Sequence, residues 1–259
     1  MPTPRDRRIL EAVRVHQRLT REHIRRLFFR RQDGGLASPQ AVNGRLRKLV
    51  APGYLEPLVV NGGHGAGPYA YGLGVAGRIF LRGMAASAKT TAAGPVWHQL
   101  EIAEFRVRLE EELNRRRGEV VEWLGEPVLR KLLLGKGGSP VPDGLVHWRL
   151  GGVEGTFYLE WDRGSESLAI LTLKLRKYFH SWRARGHREL LPGLGLRPRL
   201  VIVVPSRERG RRLVEWLGSK MSHQSPATTL IGIADDILKQ PLGQTWWRSD
   251  SRAPGKLIE

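Results

Sequence analysis

The sequence predicts an α+β protein in two parts: a small helical unit that ends in a β-hairpin, and a larger α/β unit with a mixed sheet. Three observations predict this fold class. Near the start, apolar residues recur at helical spacing in three successive segments. Two short strand-like runs then flank a glycine-rich turn. After residue 96, the patterns follow the order α-β-β-β-α-β-α-β, which is typical of a sheet covered by helices.

The first 83 residues are predicted to form a winged helix-turn-helix. Apolar spacing in RRILEAV marks the first helix, and Thr20 caps the second, TREHIRRLFF. Ser38 and Pro39 begin the third, SPQAVNGRLRKLV, since proline is tolerated at the first helical position. YLEPLVV and PYAYGL, on either side of NGGHGAG, form the hairpin that serves as the wing.

The third helix carries the predicted contacts to double-stranded DNA. Gln40, Asn43 and Arg47 are of the types that reach base edges in the major groove. Arg45 and Lys48 are of the types that contact phosphates. Winged helices also mediate protein contacts, and that role is the alternative.

Composition narrows the classes of partner. The 43 Lys and Arg residues, most of them Arg, outnumber 25 acids and give a formal net charge of +18. Arginine forks bind phosphate through paired hydrogen bonds, so this excess favours nucleic acid, although an Arg-rich codon bias is the alternative explanation. There is no cysteine, which excludes disulfides and thiolate metal sites and fits a cytoplasmic protein. No apolar run reaches the roughly 18 residues that span a bilayer, and MPTPRDRRIL lacks a signal-peptide core, so no membrane partner is expected.

Composition also predicts the domain boundaries. Residues 84–95, MAASAKTTAAGP, are small or polar and form the predicted linker between domains 1–83 and 96–240. The remaining tail, 241–259, contains Trp and Arg and is expected to be loosely ordered.

Three acids gather in the segment VPDGLVHWRLGGVEGTFYLEWDR. Strand alternation places Glu160 and Asp162 on one face. If the turn GGVEG pairs Val146 with Leu159, Asp143 falls opposite Asp162. Carboxylates this close repel each other unless a cation neutralises them. Oxygen ligands without His or Cys suit Mg²⁺ or Mn²⁺.

Other side chains are expected around these acids. Glu104 lies on the apolar side of the helix that opens the second domain and is a further candidate metal ligand. Lys174 flanks the buried stripe of the helix after the strands, from which its long side chain extends towards the acids. Arg163 and Lys177 are placed to hold a DNA backbone, while Tyr178 either bonds a phosphate or packs in the core. A solvated role is the alternative for Lys174, and pairing with a neighbouring Arg is the alternative for Glu104.

The acids and the order of elements resemble the active-site plan of the PD-(D/E)xK nucleases. In that plan an Asp on one strand faces a Glu-x-Lys on the next, which matches Pro142–Asp143 and Glu160. The third position here is Asp162 instead of Lys, and the resemblance assigns the role of the lysine to Lys174 on the following helix.

More narrowly, the chain resembles the replication-relaxation family of plasmid and mobile-element proteins. The matching features are YAYGLGVAGRIFL, His98-x-Leu100, Pro142–Asp143 and FYLEWDRGSES, with Lys174 and Tyr178 downstream. One departure is Gly74, where the family pattern usually has Thr.

The resemblance implies a winged-helix DNA-binding domain joined to a restriction-endonuclease-like domain that acts in replication, mobilisation or relaxation of DNA. Cleavage of a phosphodiester would then depend on Asp143, Glu160, Asp162 and Lys174 with Mg²⁺ or Mn²⁺. The alternatives are a non-catalytic replication or accessory factor with a degenerate nuclease fold, and a subunit whose partner supplies the chemistry. A homodimer and other replication or mobilisation proteins are the protein partners considered.

Overall fold

A computed structural model describes residues 1–60, 69–82, 96–133, 140–183, 198–220, 229–249 and 251–258. The chain divides into two compact units, Met1–Val107 and Arg108–Glu259, and the division falls inside a long helix, Val96–Arg115. The predicted linker 84–95 lies outside the described residues.

The first unit contains the three helices and the hairpin that the sequence predicts. Its strands form one antiparallel sheet in the order β1-β3-β2. The elements in chain order are α1 (Pro4–His16), β1 (Leu19–Thr20), α2 (Arg21–Phe28), α3 (Pro39–Val50), β2 (Leu55–Val59), β3 (Tyr69–Leu73), α4 (Val75–Arg82) and the first part of α5 (Val96–Arg115). The predicted glycine-rich turn lies outside the described residues.

Side-chain caps fix where these helices begin. The hydroxyl of Thr20 accepts from the backbone N–H of His23, whose ring accepts from the N–H of Thr20 in return. Ser38 caps α3 by accepting from the N–H of Ala41 at 3.2 Å. The predicted starts of α2 and α3 are therefore confirmed.

Gly74 lies where the backbone allows no larger residue. Its N–H donates to the carbonyl of Tyr54 at 3.0 Å, and an added Cβ would lie 2.2 Å from the carbonyl oxygen of Gly53. A Thr at this position would therefore require the backbone at Gly53 to move.

The second unit is a seven-stranded mixed sheet covered by helices. The sheet order is β10-β9-β8-β7-β6-β5-β4, in which β6, β7 and β8 run parallel and the other pairs antiparallel. The elements after α5 are β4 (Glu119–Gly125), α6 (Glu126–Leu133), β5 (Gly144–Leu150), β6 (Val153–Trp161), α7 (Leu168–Arg183), β7 (Arg199–Val204), α8 (Arg207–Lys220), β8 (Thr229–Ile233), α9 (Ala234–Lys239), β9 (Trp246–Arg248) and β10 (Ser251–Gly255). Apolar side chains of α6, α7 and α8 pack with those of the central strands in one core.

Two segments differ from the sequence prediction. Residues 126–133, which show no clear pattern, form α6, because Leu129 and Leu133 bury one side of it in the core. The expectation of a loosely ordered tail is wrong, because β9 and β10 extend the sheet. Trp246 is fully buried there, and its indole N–H donates to the carbonyl of Pro241 at 2.8 Å. Within the described residues, no helix is long and apolar enough to cross a bilayer.

Candidate functional site

The β5–β6 hairpin determines which acids face each other. Leu150 pairs with Val153 across a two-residue turn, whose glycines adopt positive φ angles of 59° and 81°. Such a turn favours glycine at both positions and matches the twist of the strands. The resulting register pairs Gly144 with Leu159, so Asp143 lies opposite Glu160. The expectation that Asp143 would face Asp162 is therefore wrong by two residues.

Backbone hydrogen bonds hold Asp143 at the end of this hairpin. Its N–H donates to the carbonyl of Leu159 at 3.0 Å. Its carboxylate Oδ2 accepts from the N–H of Trp161 at 2.7 Å. The side chain thus continues the pairing one residue beyond β5, and this fixes its position beside Glu160.

Glu160 lies in the core with both carboxylate oxygens bonded. Only 2 % of the surface of Glu160 is exposed to solvent. The ammonium of Lys174 donates to Oε2 and the hydroxyl of Tyr178 donates to Oε1. These two donors are four residues apart on α7 and therefore project from the same side of that helix. The sheet and α7 together bring an acid pair and a cation to one place.

Burial and neighbouring charge control the proton of Glu160. Burial raises its pKa to about 7, and the negative charge of Asp143 acts in the same direction, against the lowering effects of Lys174 and Tyr178. Burial disfavours the ammonium of Lys174, but Glu160 and Asp143 outweigh it, so the pKa of Lys174 is raised. Burial and Glu160 also raise the pKa of Tyr178, which stays a hydrogen-bond donor.

The raised pKa of Glu160 predicts a loss of stability with rising pH. Between pH 4.5 and 7 the unfolded chain releases this proton while the folded chain retains it, so the free energy of unfolding falls. The loss amounts to about 3 kcal/mol in total. Urea unfolding followed by Trp fluorescence measures it, since every Trp except Trp97 lies in the second unit. The difference between wild type and Glu160→Gln should show this slope, and a flat difference would contradict it.

Asp162 is bonded elsewhere. Both of its oxygens accept from the guanidinium of Arg209 on α8, one of them at 3.1 Å, and Oδ1 also accepts from the N–H of Gly164. Over the described ranges, no group of three or more His, Cys, Asp or Glu side chains is arranged to hold a metal ion. The structure therefore brings together Asp143, Glu160 and Lys174, whereas Asp162 pairs with the guanidinium of Arg209 instead of with Lys174.

Glu104, the fourth candidate ligand, belongs to an ion-pair cluster of the first unit. Its carboxylate accepts from Arg26 at 2.8 and 2.9 Å and lies 3.2 Å from Nε2 of His23. Since the other ring nitrogen of His23 accepts from a backbone N–H, Nε2 carries the proton and donates to Glu104. These bonds connect α5 to α2.

The predicted DNA contacts on α3 separate into two groups. Gln40, Arg47 and Lys48 are exposed and Asn43 is half-buried. Arg45 instead donates through Nε to Oδ1 of the fully buried Asp6 at 2.5 Å, and its NH2 also bonds the same carboxylate. The structure therefore gives Arg45 a bond that connects α3 to α1. In the second unit, Arg163 and Lys177 are exposed.

Sequence reasoning missed two partners of the acids. The role of Tyr178 was left open, although its spacing of four residues from Lys174 places both on one helical face. Arg209 was missed entirely, because nothing in the sequence links an arginine on α8 to an acid 47 residues earlier.

Comparison with known protein families covers most of the chain, including the acids and the lysine described above. A family model described as replication-relaxation matches residues 10–194, which include α3, the β5–β6 hairpin and Lys174. The chain belongs to the replication-relaxation family. No curated protein and no solved structure matches it. Membership in the replication-relaxation family associates the chain with replication or relaxation of DNA and confirms the resemblance read from the sequence motifs.

Proposed function

We propose that the protein binds DNA of a plasmid or mobile element through a winged helix and cleaves a phosphodiester bond with a Mg²⁺-dependent site in its second unit. The observation that carries the proposal is the juxtaposition of Asp143, Glu160 and Lys174 at the end of the hairpin. Two acids on adjacent strands with a lysine beside them correspond to the nuclease plan that the sequence resembles.

The acids fit a hard divalent cation. Mg²⁺ is commonly held in proteins by one or two carboxylates, with water and substrate phosphates as its other ligands. Asp143 and Glu160 provide such a pair. Burial is the main cause that raises the pKa of Glu160, and the negative charge of Asp143 acts in the same direction. Mg²⁺ and Mn²⁺ both suit these oxygen ligands. Asp162, bonded to Arg209, and Glu104, bonded to Arg26, are not needed as ligands.

The residues of the chain have separate tasks in this proposal. Asp143 and Glu160 would hold the cation, which when bound supplies positive charge to the scissile phosphate. The side chain of Lys174 is 32 % exposed while that of Glu160 is 3 % exposed, so Lys174 is the more accessible of the two. Its ammonium would stabilise the charge that grows on a phosphate oxygen. Tyr178 keeps the carboxylate of Glu160 in position.

The DNA-binding part of the proposal depends on the first unit and on charge. The order of three helices and a hairpin is that of a winged helix, whose third helix enters the major groove. The exposed polar residues of α3 and the formal net charge of +18 support this role.

Nicking of supercoiled plasmid tests the catalytic proposal. Full-length protein with Mg²⁺ should convert supercoiled to open-circular DNA, and a chelator should stop it. Asp143→Asn should reduce the rate at least about 100-fold, since it removes one of two charged ligands at a site where metal and substrate charge meet. Glu154→Gln is the matched control, because it makes the same kind of change on β6 at the far end of the hairpin, beside Arg149. Equal nicking by Asp143→Asn and wild type would refute the site.

A non-catalytic replication factor is the second candidate, and one observation favours it. Glu160 already has both oxygens bonded, by Lys174 and Tyr178, an arrangement that also suits a purely structural acid. This candidate expects salt-dependent DNA binding without any Mg²⁺-dependent cleavage.

A further inference from the structure

A groove of about 1060 Å³ runs along α3 in the first unit, outside the predicted cleavage site. One wall is formed by Leu46 and Val50 of α3. The facing wall is formed by Pro57, Tyr69 and Tyr71 of the hairpin. The groove is thus mostly apolar, although it lies beside α3, the helix that is expected to contact DNA.

The hairpin presents its two tyrosines to this groove on one face. Pro57 pairs directly with Tyr71 across the hairpin, and Tyr69 and Tyr71 are two residues apart on β3, so all three share a face of the sheet. Tyr69 is 56 % exposed and Tyr71 is half-buried. An exposed aromatic ring beside a half-buried one provides a surface on which a flat apolar group can stack.

Two arginines, an amide and one carboxylate, that of Glu22, add polar groups to the lining. Glu22 forms an ion pair with Arg25 at 3.3 Å. Arg21, at the start of α2, and Arg47, on α3, both line the groove and are exposed. In the part of the chain that the structure describes, neither guanidinium forms an ion pair with a carboxylate. Asn43 lies on the same wall as Arg47 and offers an amide of the kind that bonds base edges.

This combination fits an unpaired nucleotide better than a continuous duplex. A duplex presents phosphates, sugars and base edges to a protein, while stacking hides the faces of its bases. Proteins that bind single strands combine aromatic stacking surfaces with a positively charged groove. Here Tyr69 and Tyr71 offer the stacking surface, and Arg21 and Arg47 offer charge for phosphates on either side.

We propose that the groove between α3 and the hairpin binds an unpaired base of a single-stranded segment adjoining the duplex. This inference rests on the proposed DNA binding and specifies its substrate as a junction between duplex and single strand.

Fluorescence anisotropy with full-length protein tests the inference at one fixed salt concentration. The probes are a blunt duplex of mixed sequence and the same duplex with a 5′ or a 3′ single-stranded extension. Wild type should bind one of the extended probes about tenfold more tightly than the blunt probe, as expected for stacking of one base. Tyr69→Ala should remove that gain and leave blunt-duplex affinity unchanged, while Tyr69→Phe, which keeps the ring, should retain it.

Ile79→Ala is the matched control, because Ile79 is also an exposed apolar residue of the first unit but does not line the groove. It should retain the gain. Equal affinity of wild type for blunt and extended probes, or an equal loss on both probes in Tyr69→Ala, would overturn the groove proposal while leaving duplex binding intact. Failure of wild type to bind any probe would instead refute DNA binding itself, and the groove proposal with it.

Discussion

Glu160→Gln should abolish Mg²⁺-dependent nicking of plasmid DNA without unfolding the second unit. The amide keeps the shape of the side chain, and its oxygen can still accept from Lys174 while its NH₂ donates to the hydroxyl of Tyr178. The charge that would attract a divalent cation is lost. Since a metal stabilises transition-state charge by several kcal/mol, we expect the rate to fall at least about 100-fold. Gel analysis of the nicked product measures the rate, and near-ultraviolet circular dichroism checks the fold.

Asp162→Asn distinguishes this two-acid site from the three-acid site that the sequence predicts. In the structure Asp162 neutralises Arg209, so the substitution should weaken the contact between β6 and α8 but change the nicking rate only a few-fold. A loss as large as that of Glu160→Gln would show that Asp162 acts in cleavage and that the two-acid interpretation is wrong.

Arg45→Ala should destabilise the first unit strongly. Asp6 is fully buried, and its carboxylate bonds Arg45 as well as the capping hydroxyl of Thr3. Removal of one partner leaves an uncompensated buried charge, which costs about 3 kcal/mol. Hydrogen–deuterium exchange of peptides from α1 and α3 measures the free energy of opening for this unit alone. Addition of Asp6→Asn should restore much of the protection, because it removes the stranded charge.

Arg47→Ala is the control for this prediction. Arg47 lies two residues further along α3 and is exposed, so the substitution should leave exchange unchanged within about 0.5 kcal/mol and weaken DNA binding. If Arg45→Ala weakened DNA binding without any change in exchange, Arg45 would be the phosphate contact that the sequence predicts and the bond to Asp6 would be unimportant.

Local patterns determined most of the first unit and the order of elements in the second. Helix starts were predictable at Thr20 and Ser38, because a cap depends on residues only three positions apart. The strand RLVIVV was predictable because a buried parallel strand is a continuous apolar run. The helix α6 and the strands β9 and β10 were not predictable. These segments form regular structure because they pack against a core and a sheet that are assembled from distant segments.

The sequence by itself placed Asp143 and Glu160 on the two arms of one hairpin, with Lys174 on the helix that follows, because a short turn, strand alternation and helix spacing act over a few residues. The sequence prediction placed Asp143 opposite Asp162, and the register of the folded hairpin places it opposite Glu160 instead. Only the tertiary structure decided which carboxylate each cation neutralises. In the folded protein Asp162 pairs with Arg209, Glu104 pairs with Arg26, and Asp6 pairs with Arg45. The physical reason is that an ion pair depends on the separation of two side chains in space, and these partners come from segments that only the complete fold brings together.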